Sequence, residues 1–340
     1  MPLPSVRRRT FLAGSVATTL AVTLAGCASA GGGGGDDDNR FFIVGFAVPE
    51  AANDAIFEKF QETPEGEGLE LSGSYGASGD QSRAVVNGAQ ADYVHFSLEG
   101  DVTRLVDADL VADDWNSGPT QGIVSSSVAV LVVEEGNPLG ITGWDDLTRD
   151  DVQVVTADPA SSGAARWNIL AAYGAQIAAG KSEAEAEDYM VELFDHVSTW
   201  AGSGREATEA FENGLGNVLI SYENEAILTR QQGRSYDYIV PDSTLLIENP
   251  GAILKDANPA AQDWLDFVLS EEGQTEFVRK GFRPVGDVDI DVEVEGANDP
   301  SDPFPTPTNL LTIADDFGGW SATNEKWFDE GALYEQLRAR

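Results

Sequence analysis

Three short segments of this 340-residue chain place small residues directly ahead of a predicted helix. They are 75–81, 160–164 and 201–205, and each contains both serine and glycine. The first backbone N–H groups of a helix are unpaired and carry about half a positive charge, so they attract anions. Small residues let an anion approach those groups closely, and a serine hydroxyl adds another donor. Three such starts converging on one point would bind an oxyanion without any lysine or arginine.

Each segment taken alone also fits a simpler explanation, because Ser-Gly before a helix is a common N-terminal cap. Convergence in space cannot be read from one sequence. The pattern therefore predicts three candidate anion-binding positions but does not show that they lie together.

The elements that position these segments follow an α/β pattern. From residue 40 onward, short runs rich in β-branched and aromatic residues alternate with amphipathic stretches, which predicts layers of helices and strands. Asn258 before Pro259 is a helix start signal, and the alternation of acids with Val or Ile over 287–295 predicts an exposed strand. The main strands are predicted at 41–46, 69–74, 92–96, 127–133, 152–156, 217–221 and 238–240, and the main helices at 50–60, 81–89, 165–173, 182–194, 206–213 and 259–269.

The composition excludes several classes of function. The chain has 58 acidic against 20 basic residues and a net charge of −38, so it lacks the basic residues that contacts with nucleic acid require. One cysteine and two distant histidines make no zinc-ligand set, and we expect neither a metal nor a cofactor. The sequence contains no Gly-x-Ser-x-Gly elbow and no Walker loop, so it does not predict an enzyme.

The acidity also predicts the solvent in which the protein works. Only five of the basic residues are lysine, and so acidic a surface with arginine preferred suits near-saturated salt. We therefore expect an extremely halophilic source. At that ionic strength the Debye length is about 3 Å or less, so the surface charge scarcely repels an incoming anion.

The N-terminus has the features of an export signal with a lipid attachment point. Residues 7–12 form a twin-arginine pattern, and 11–26 are weakly apolar and uncharged. This run ends in Leu-Ala-Gly-Cys at 24–27, a lipoprotein cleavage pattern in which Cys27 accepts the lipid. A transmembrane anchor is the alternative, but the run is shorter than the roughly 20 residues that span a bilayer.

We therefore predict a signal peptide at 1–26 and a flexible tether rich in Gly and Asp at 27–40. After twin-arginine export, the lipid would anchor the protein at the extracellular face of the cytoplasmic membrane. The remaining roughly 300 residues are enough for two lobes.

Several motifs occur in order along the chain. They are Glu-Gly-Asn-Pro at 135–138, Gly-Trp-Asp-Asp-Leu at 143–147, a run at 156–168 that contains Ser-Gly-Ala-Ala-Arg-Trp-Asn, a run at 213–226 that ends in Tyr-Glu-Asn-Glu-Ala, and Phe-Gly-Gly-Trp at 317–320. In these motifs the chain resembles the sulfate- and thiosulfate-binding proteins of ABC importers. The resemblance extends from about residue 43 to residue 335 with few gaps.

This resemblance implies a two-lobed periplasmic-binding protein type II fold of the α/β class, with a cleft between the lobes and two hinge crossings. Lobe 1 would comprise 41–125 and 240–340, and lobe 2 would comprise 126–239. The resemblance also implies a monomeric solute-binding protein that catalyses no reaction. It would capture a tetrahedral oxyanion, sulfate or thiosulfate, and deliver it to a membrane permease powered by an ATPase.

In the family that the chain resembles, neutral hydrogen bonds hold a dehydrated dianion in the cleft. Ser78 would donate its backbone N–H and its hydroxyl, and Ser162 would donate its hydroxyl. Gly163, Ala164 and Gly204 would donate backbone N–H groups. Carried over position by position, the implied ligand-binding residues are Val48, Ser78, Ser162, Gly163, Ala164, Gly204 and Tyr222.

Two of these positions depart from the family pattern. Val48 lies in Phe-Ala-Val-Pro at 46–49, where the family usually has Ser-Tyr-Asp-Pro, so the backbone N–H is kept and an acidic side chain is lost. Tyr222 stands where the family usually has tryptophan. An indole only donates, whereas a phenol donates or accepts, so the identity of the ligand stays open. The alternatives are molybdate, tungstate or a phosphate-type oxyanion, or a sensory or structural surface lipoprotein without a transport role.

Four further polar residues stand out. Arg166 and Arg205 follow two of the donor segments, where they either stabilise these segments and attract anions or form surface ion pairs. His95 and His196 lie on or near apolar runs, which predicts structural roles. We include none of the four in the predicted ligand-binding set.

Overall fold

The structure, a computed structural model, describes residues 39–340. The predicted signal peptide at 1–26, the lipid-attachment residue Cys27 and most of the predicted tether at 27–40 lie outside the described residues. Between residues 39 and 340, no helix combines the length and the apolar character that crossing a bilayer requires.

The centre of the fold is a mixed sheet that has ten strands within residues 39–340. In chain order they are β1 (Arg40–Phe46), β2 (Glu70–Gly76), β3 (Tyr93–His95), β4 (Ile123–Glu134), β5 (Val154–Ala157), β6 (Val197–Ala201), β7 (Val218–Tyr222), β8 (Tyr236–Ile239), β9 (Ser243–Ile253) and β10 (Asn309–Leu311). Neighbouring strands follow the order β2-β1-β3-β9-β4-β7-β5-β6, with β8 beside β4 and β10 beside β9. Because β1 runs parallel to β2 and β3, and β5 runs parallel to β6 and β7, helices must carry the chain back between them.

Helices cover the faces of this sheet. The twelve in the described part of the chain are α1 (Glu50–Phe60), α2 (Ser78–Val86), α3 (Glu99–Asp107), α4 (Gly163–Ala178), α5 (Glu183–Asp195), α6 (Gly204–Glu212), α7 (Glu223–Gln231), α8 (Ala261–Val268), α9 (Glu271–Arg279), α10 (Ile313–Asp316), α11 (Gly319–Trp327) and α12 (Leu333–Arg338). A short 3-10 helix at Trp144–Thr148 lies between β4 and β5. The helices therefore alternate with strands through most of the chain, as the sequence pattern predicts.

Two long antiparallel strands join the two parts of the sheet. We call β1 to β3 the first part and β5 to β8 the second part. β4 pairs with β9 over its first half, at residues 123–128, and with β7 and β8 over its second half. The far end of β9, at 251–253, pairs with β3. The chain thus passes between the two parts along β4 and again along β9, in agreement with the predicted fold with two crossings.

The C-terminal stretch packs on helices that follow strand β5. Trp327 of α11 lies edge-on to Tyr173 of α4, with ring centroids 4.6 Å apart, and α12 lies against α5. The sequence-based division assigns 240–340 to lobe 1 and the residues of α4 and α5 to lobe 2, at 126–239. The contacts show that the C-terminal helices lie against the predicted lobe 2, and the exact lobe boundaries stay a prediction.

The predicted elements agree with the structure in type and order. The seven main strands overlap β1 to β5, β7 and β8, and the six main helices overlap α1, α2, α4, α5, α6 and α8. Five of the six main helices begin one to three residues away from their predicted starts, and α2 and α8 are two of them. α2 begins at Ser78 rather than at 81, and α8 begins at Ala261, two residues after Pro259. The earlier start of α2 makes Ser78 itself the first helical residue.

The predicted exposed strand at 287–295 is wrong. The described structure has no strand there, and Val294 is fully buried with its N–H donating to the carbonyl of Pro300. Ile290 and Val292 pack beside it against the core of the second part. The alternating apolar residues therefore reach a core without pairing with a strand, and the carbonyl oxygen of Glu295 accepts a hydrogen bond from Gln231 of α7.

Candidate functional site

Three helices begin at the three segments that the sequence singles out. α2 begins at Ser78, α4 at Gly163 and α6 at Gly204. Within residues 39–340, the N-cap residues of α2 and α4 have extended backbones and make no side-chain capping hydrogen bond. The N-cap of α6, Ser203, does accept a hydrogen bond from a backbone N–H of its own helix. The first N–H groups of α2 and α4 therefore keep their capacity to bind an anion.

The three helix starts lie together in space. A methyl group placed on Gly204 would lie 3.2 Å from the Cβ of Ala164 and 3.2 Å from Cγ2 of Val48. A methyl group placed on Gly79, in the first turn of α2, would lie 3.4 Å from the carbonyl oxygen of Ser161. The starts of α2, α4 and α6 and the loop after β1 thus meet, which single-sequence reasoning could not establish.

Ser97, two residues after β3, joins the remaining members of the predicted set. Its N–H donates to Oγ of Ser78 at 2.9 Å, and its Oγ lies 3.0 Å from Oη of Tyr222. Its carbonyl oxygen accepts hydrogen bonds from Nε1 of Trp167 at 2.9 Å and from Nδ2 of Asn249 at 3.1 Å. Ser97 is fully buried, so it acts as a fixed link between both parts of the sheet.

The close contact between the start of α4 and Ser97 requires a glycine at position 163. A Cβ atom at Gly163 would lie 2.7 Å from Cβ of Ser97 and 2.9 Å from Cγ of Leu98, closer than side-chain atoms approach one another. The start of α4 therefore lies directly on the end of the β3 segment. Sequence reasoning did not identify Ser97, although its place at the carboxyl end of a buried strand is a signal that would have identified it.

The structure brings all seven predicted ligand-binding residues to one place. Gly204, Ala164 and Val48 approach one another, whereas Ser78, Gly163 and Tyr222 all contact or approach Ser97; Ser162 immediately precedes Gly163. The side chains among these seven residues are buried: Val48, Ser78, Ser162, Ala164 and Tyr222. Their contact with a ligand stays a prediction.

The hydroxyl of Ser78 cannot serve as a ligand donor in this arrangement. It donates its only hydrogen to Oδ2 of Asp101 at 2.6 Å, and its oxygen accepts from the N–H of Ser97. The backbone N–H of Ser78 is the donor that remains. The expectation that both groups would contact the ligand is corrected for the hydroxyl.

Tyr222 ends β7 and is buried between the two parts of the sheet. Burial raises the pKa of its phenol well above the ordinary value, so the group stays protonated at neutral pH. In the 3.0 Å contact with Ser97, either hydroxyl can be the donor. Tyr222 can therefore offer a hydrogen or a lone pair to a neighbouring group, which an indole in its place cannot do.

Arg205 is held by a buried carboxylate. Its Nη2 and Nε lie 2.8 and 3.0 Å from the two carboxylate oxygens of Glu225, and Nη2 also donates to the carbonyl oxygen of Val48 at 3.4 Å. Burial raises the pKa of Glu225, and the charge of Arg205 opposes that shift. Arg205 thus fixes the start of α6 against the loop after β1, which agrees with the stabilising role considered for it.

The two histidines have structural partners. Nδ1 of His95 lies 3.1 Å from Oδ1 of Asn53, and Nε2 lies 3.0 Å from Oγ of Ser125. Complete burial lowers the pKa of His95 to about 3, so the ring is neutral at physiological pH. Nδ1 of His196 lies 3.1 Å from the carbonyl oxygen of Val152. Over the described range, no group of three potential metal ligands occurs.

Comparisons with known proteins show which family the chain is similar to. A family model described as bacterial extracellular solute-binding protein matches residues 43–283. The sulfate-binding protein of Synechococcus elongatus is 34% identical over 345 residues, which cover 97% of each chain. The thiosulfate-binding protein of Pseudomonas aeruginosa is 30% identical over 83% of this chain and 86% of its own.

Solved structures show the same architecture. The sulfate-binding protein SubI from Mycobacterium tuberculosis is 41% identical and superposes with a TM-score of 0.79. The match covers 86% of this chain and 100% of SubI. A periplasmic thiamin-binding protein superposes with a TM-score of 0.66 at 14% identity over 88% of this chain and 96% of its own. At that identity the second likeness is evidence for the fold alone.

Proposed function

The chain belongs to the bacterial extracellular solute-binding proteins, within them to the sulfate- and thiosulfate-binding family of ABC importers, and from this premise we propose that it captures sulfate or thiosulfate. Its relatives are binding proteins of transporters and not enzymes, and this chain is a binding protein as well. The substrate class rests on the names of these relatives and on the site described above.

The observation that carries the proposal is the meeting of three helix starts around buried, uncharged residues. Backbone N–H groups at helix starts are fixed donors that need no counter-charge, and their dipoles favour a dianion. Gly204 and Gly163 keep the backbone open to close approach, because any side chain there would meet Val48 or Ser97. A tetrahedral oxyanion that carries no proton can only accept hydrogen bonds, so it suits a site made only of donors. Sulfate is such an anion.

The same contacts suggest how binding changes the protein. Val48 follows β1 in the first part of the sheet, whereas Gly204 begins α6 in the second part. Ser97 and Tyr222 likewise come from opposite parts and meet through their hydroxyls. A ligand held by donors from both parts would stabilise the closed arrangement, and we propose that the permease and its ATPase recognise that form.

We also propose that the mature protein is a monomer anchored through a lipid on Cys27 at the extracellular face of the cytoplasmic membrane. The support is the sequence of the N-terminal segment. Metabolic labelling with a radioactive fatty acid should mark the full chain and leave Cys27→Ser unlabelled. Equal labelling of the two proteins would contradict the lipid attachment.

Isothermal titration calorimetry tests the ligand. We expect the full-length Cys27→Ser protein to bind sulfate or thiosulfate in a one-to-one complex at high salt. Molybdate, tungstate and phosphate belong in the same series, because Tyr222 can accept a hydrogen bond from a protonated oxyanion. Absence of binding to all five anions would remove the proposal and favour a sensory or structural lipoprotein.

A glycine substitution tests the site. Gly163→Ala should weaken anion binding about fivefold or more, because the new methyl group forces the start of α4 away from Ser97 at an overpacking cost of roughly 1–3 kcal/mol. Gly118→Ala is the matched control, since its Cβ would meet nothing within 4 Å. Equal affinity of the two variants would contradict the placement of the site.

A further inference from the structure

A polar pocket of about 260 Å³ adjoins the predicted ligand-binding residues. Its wall includes Ser162 and Gly163, and it is also lined by Arg83, Arg104 and Arg166. The whole chain has only 20 basic residues against 58 acidic ones, so three arginines around one small pocket are a marked local exception. None of them belongs to the predicted ligand-binding set.

Each arginine comes from a different helix, and two of them have carboxylate partners. Arg83 of α2 pairs with Asp80, and Arg104 of α3 lies 2.9 Å from Oδ1 of Asp101. A guanidinium has five N–H donors, so one carboxylate does not exhaust either group. Both arginines keep donors for a further anion.

Arg166 of α4 is bonded to neutral oxygens. Its Nη1 donates to Oδ1 of Asn324 at 3.0 Å, its Nε donates to the carbonyl oxygen of Pro159 at 3.5 Å, and its guanidinium stacks on the ring of Phe328 at 4.7 Å. These contacts fix the group in position and leave its charge without a directly bonded carboxylate among the described residues. An incoming anion would provide that partner.

The three positive charges act on one another. Burial lowers the pKa of Arg166, and the charges of Arg104 and Arg83 lower it further, whereas Asp101 and Asp329 oppose the shift. The lining therefore has three guanidiniums against two carboxylates, Asp101 and Asp329. A dianion in the pocket would relieve the repulsion between the guanidiniums.

The pocket is also adjacent to the predicted binding centre. A methyl group on Gly79 would lie 3.3 Å from Nη1 of Arg83 and 3.4 Å from the carbonyl oxygen of Ser161. The guanidinium of Arg83 thus lies over the start of α2, beside the loop that leads into α4. An anion in the pocket would therefore lie beside the starts of α2 and α4.

We propose that this pocket is an outer anion site, where a divalent tetrahedral oxyanion first binds the guanidiniums of Arg83, Arg104 and Arg166 before it enters between α2 and α4. The inference rests on the proposed function, since it concerns the route to the same cleft. In concentrated salt, attraction at long range is screened, so capture requires direct contact. Guanidinium groups suit this contact, because they bind oxyanions through paired hydrogen bonds.

Stopped-flow fluorescence tests the route in the full chain. Trp167 donates to Ser97 and lies edge-on to Trp320 at 4.7 Å, so closure of the cleft should change tryptophan emission. We expect Arg83→Gln to lower the association rate constant for sulfate about threefold to tenfold. The dissociation rate constant should fall by the same factor, because sulfate leaves by the route by which it enters and Arg83 is outside the predicted ligand-binding set.

Arg149→Gln is the matched control, because Arg149 is a partly exposed arginine that pairs with Asp146 and Asp151 away from the pocket. It should associate with sulfate at the wild-type rate. If the association rate constant of Arg83→Gln equals that of the wild type, or if only the dissociation rate constant changes, the outer site is overturned. A wild-type protein that binds no oxyanion would instead overturn the proposed function, and the two failures are distinguished by the wild-type measurement.

Discussion

Tyr222 and Ser97 form a hydroxyl pair at the centre of the site, with Oη and Oγ 3.0 Å apart. The family resemblance implies a tryptophan at this position, and the structure shows what the phenol changes. A hydroxyl can turn its hydrogen toward Ser97 and present a lone pair, whereas an indole always presents its N–H. We therefore predict that this one side chain affects the discrimination between sulfate and a protonated oxyanion.

Replacing this phenol should change selectivity. We expect Tyr222→Trp to raise the preference for sulfate over hydrogen phosphate by about tenfold, because a donor-only group leaves the proton of the phosphate unpaired. Competition calorimetry with the two anions measures the ratio. Tyr236→Trp, on strand β8, is the control and should keep the wild-type ratio. Identical ratios in all three proteins would exclude Tyr222 as the selecting group.

His95 should make stability depend on pH. Its folded pKa of about 3 lies below the ordinary 6.5, so its contribution is complete above pH 6.5 and is lost as the pH falls, when the unfolded chain binds a proton. The free energy of unfolding should drop by about 1.4 kcal/mol between about pH 7.5 and about 5.5 from this group.

Urea unfolding at the two pH values measures this drop. His95→Gln should lose this dependence of the free energy of unfolding on pH. His196→Gln should keep it, because His196 is hydrogen bonded to a different partner, the carbonyl oxygen of Val152. An equal change of the free energy of unfolding with pH in His95→Gln and in the wild type would refute the assignment of this effect to His95.

At the scale of elements, the three helix starts differ in how their caps are used. The side chain of Ser203 caps α6, whereas that of Ser162 makes no capping bond at the start of α4 within residues 39–340. The sequence shows the same Ser-Gly pattern at both starts. Only the structure separates a serine that stabilises a helix from one whose hydroxyl is available to a ligand.

This difference predicts opposite effects of two matched substitutions. Ser203→Ala should lower the free energy of unfolding by about 1 kcal/mol through loss of the cap, with little change in affinity. Ser162→Ala should leave stability nearly unchanged and weaken sulfate binding about tenfold or more, because a hydrogen bond to a charged group is lost. Thermal unfolding measures the stability of both variants, and calorimetry measures their affinity for sulfate. Loss of stability in Ser162→Ala without loss of affinity would contradict it.

Most helices and strands could be predicted from the sequence. Strand β9 could not, because the local preference of one of its residues disagrees with the pairing in the fold. β9 was missed because it contains Pro250, which lacks an N–H and usually excludes a central strand. In the structure, Pro250 lies opposite Ile123 and its carbonyl accepts from the N–H of Phe96. The position of Ser97 directly after a predicted strand can be read from the sequence, but its hydrogen bonds cannot, since they join residues distant in sequence.

For the whole molecule, the net charge of −38 sets the conditions for stability. Repulsion between so many like charges destabilises the compact state, and salt screens it. We expect the unfolding temperature to rise between about 0.2 M and about 2 M KCl, as the Debye length falls toward 3 Å. Calorimetric scans across this range of KCl concentration measure the unfolding temperature. A flat response to KCl would contradict the halophilic interpretation.

The long strand β9 has a consequence for biosynthesis. β1, β2 and β3 leave the ribosome early, but among residues 39–340 the open side of β3 pairs only with the end of β9, at 251–253. Until then the nascent chain exposes a strand edge whose residues are fully buried in the finished protein. Cotranslational folding of the first part must therefore wait until most of the chain has been made, and an interrupted translation product would be prone to aggregate.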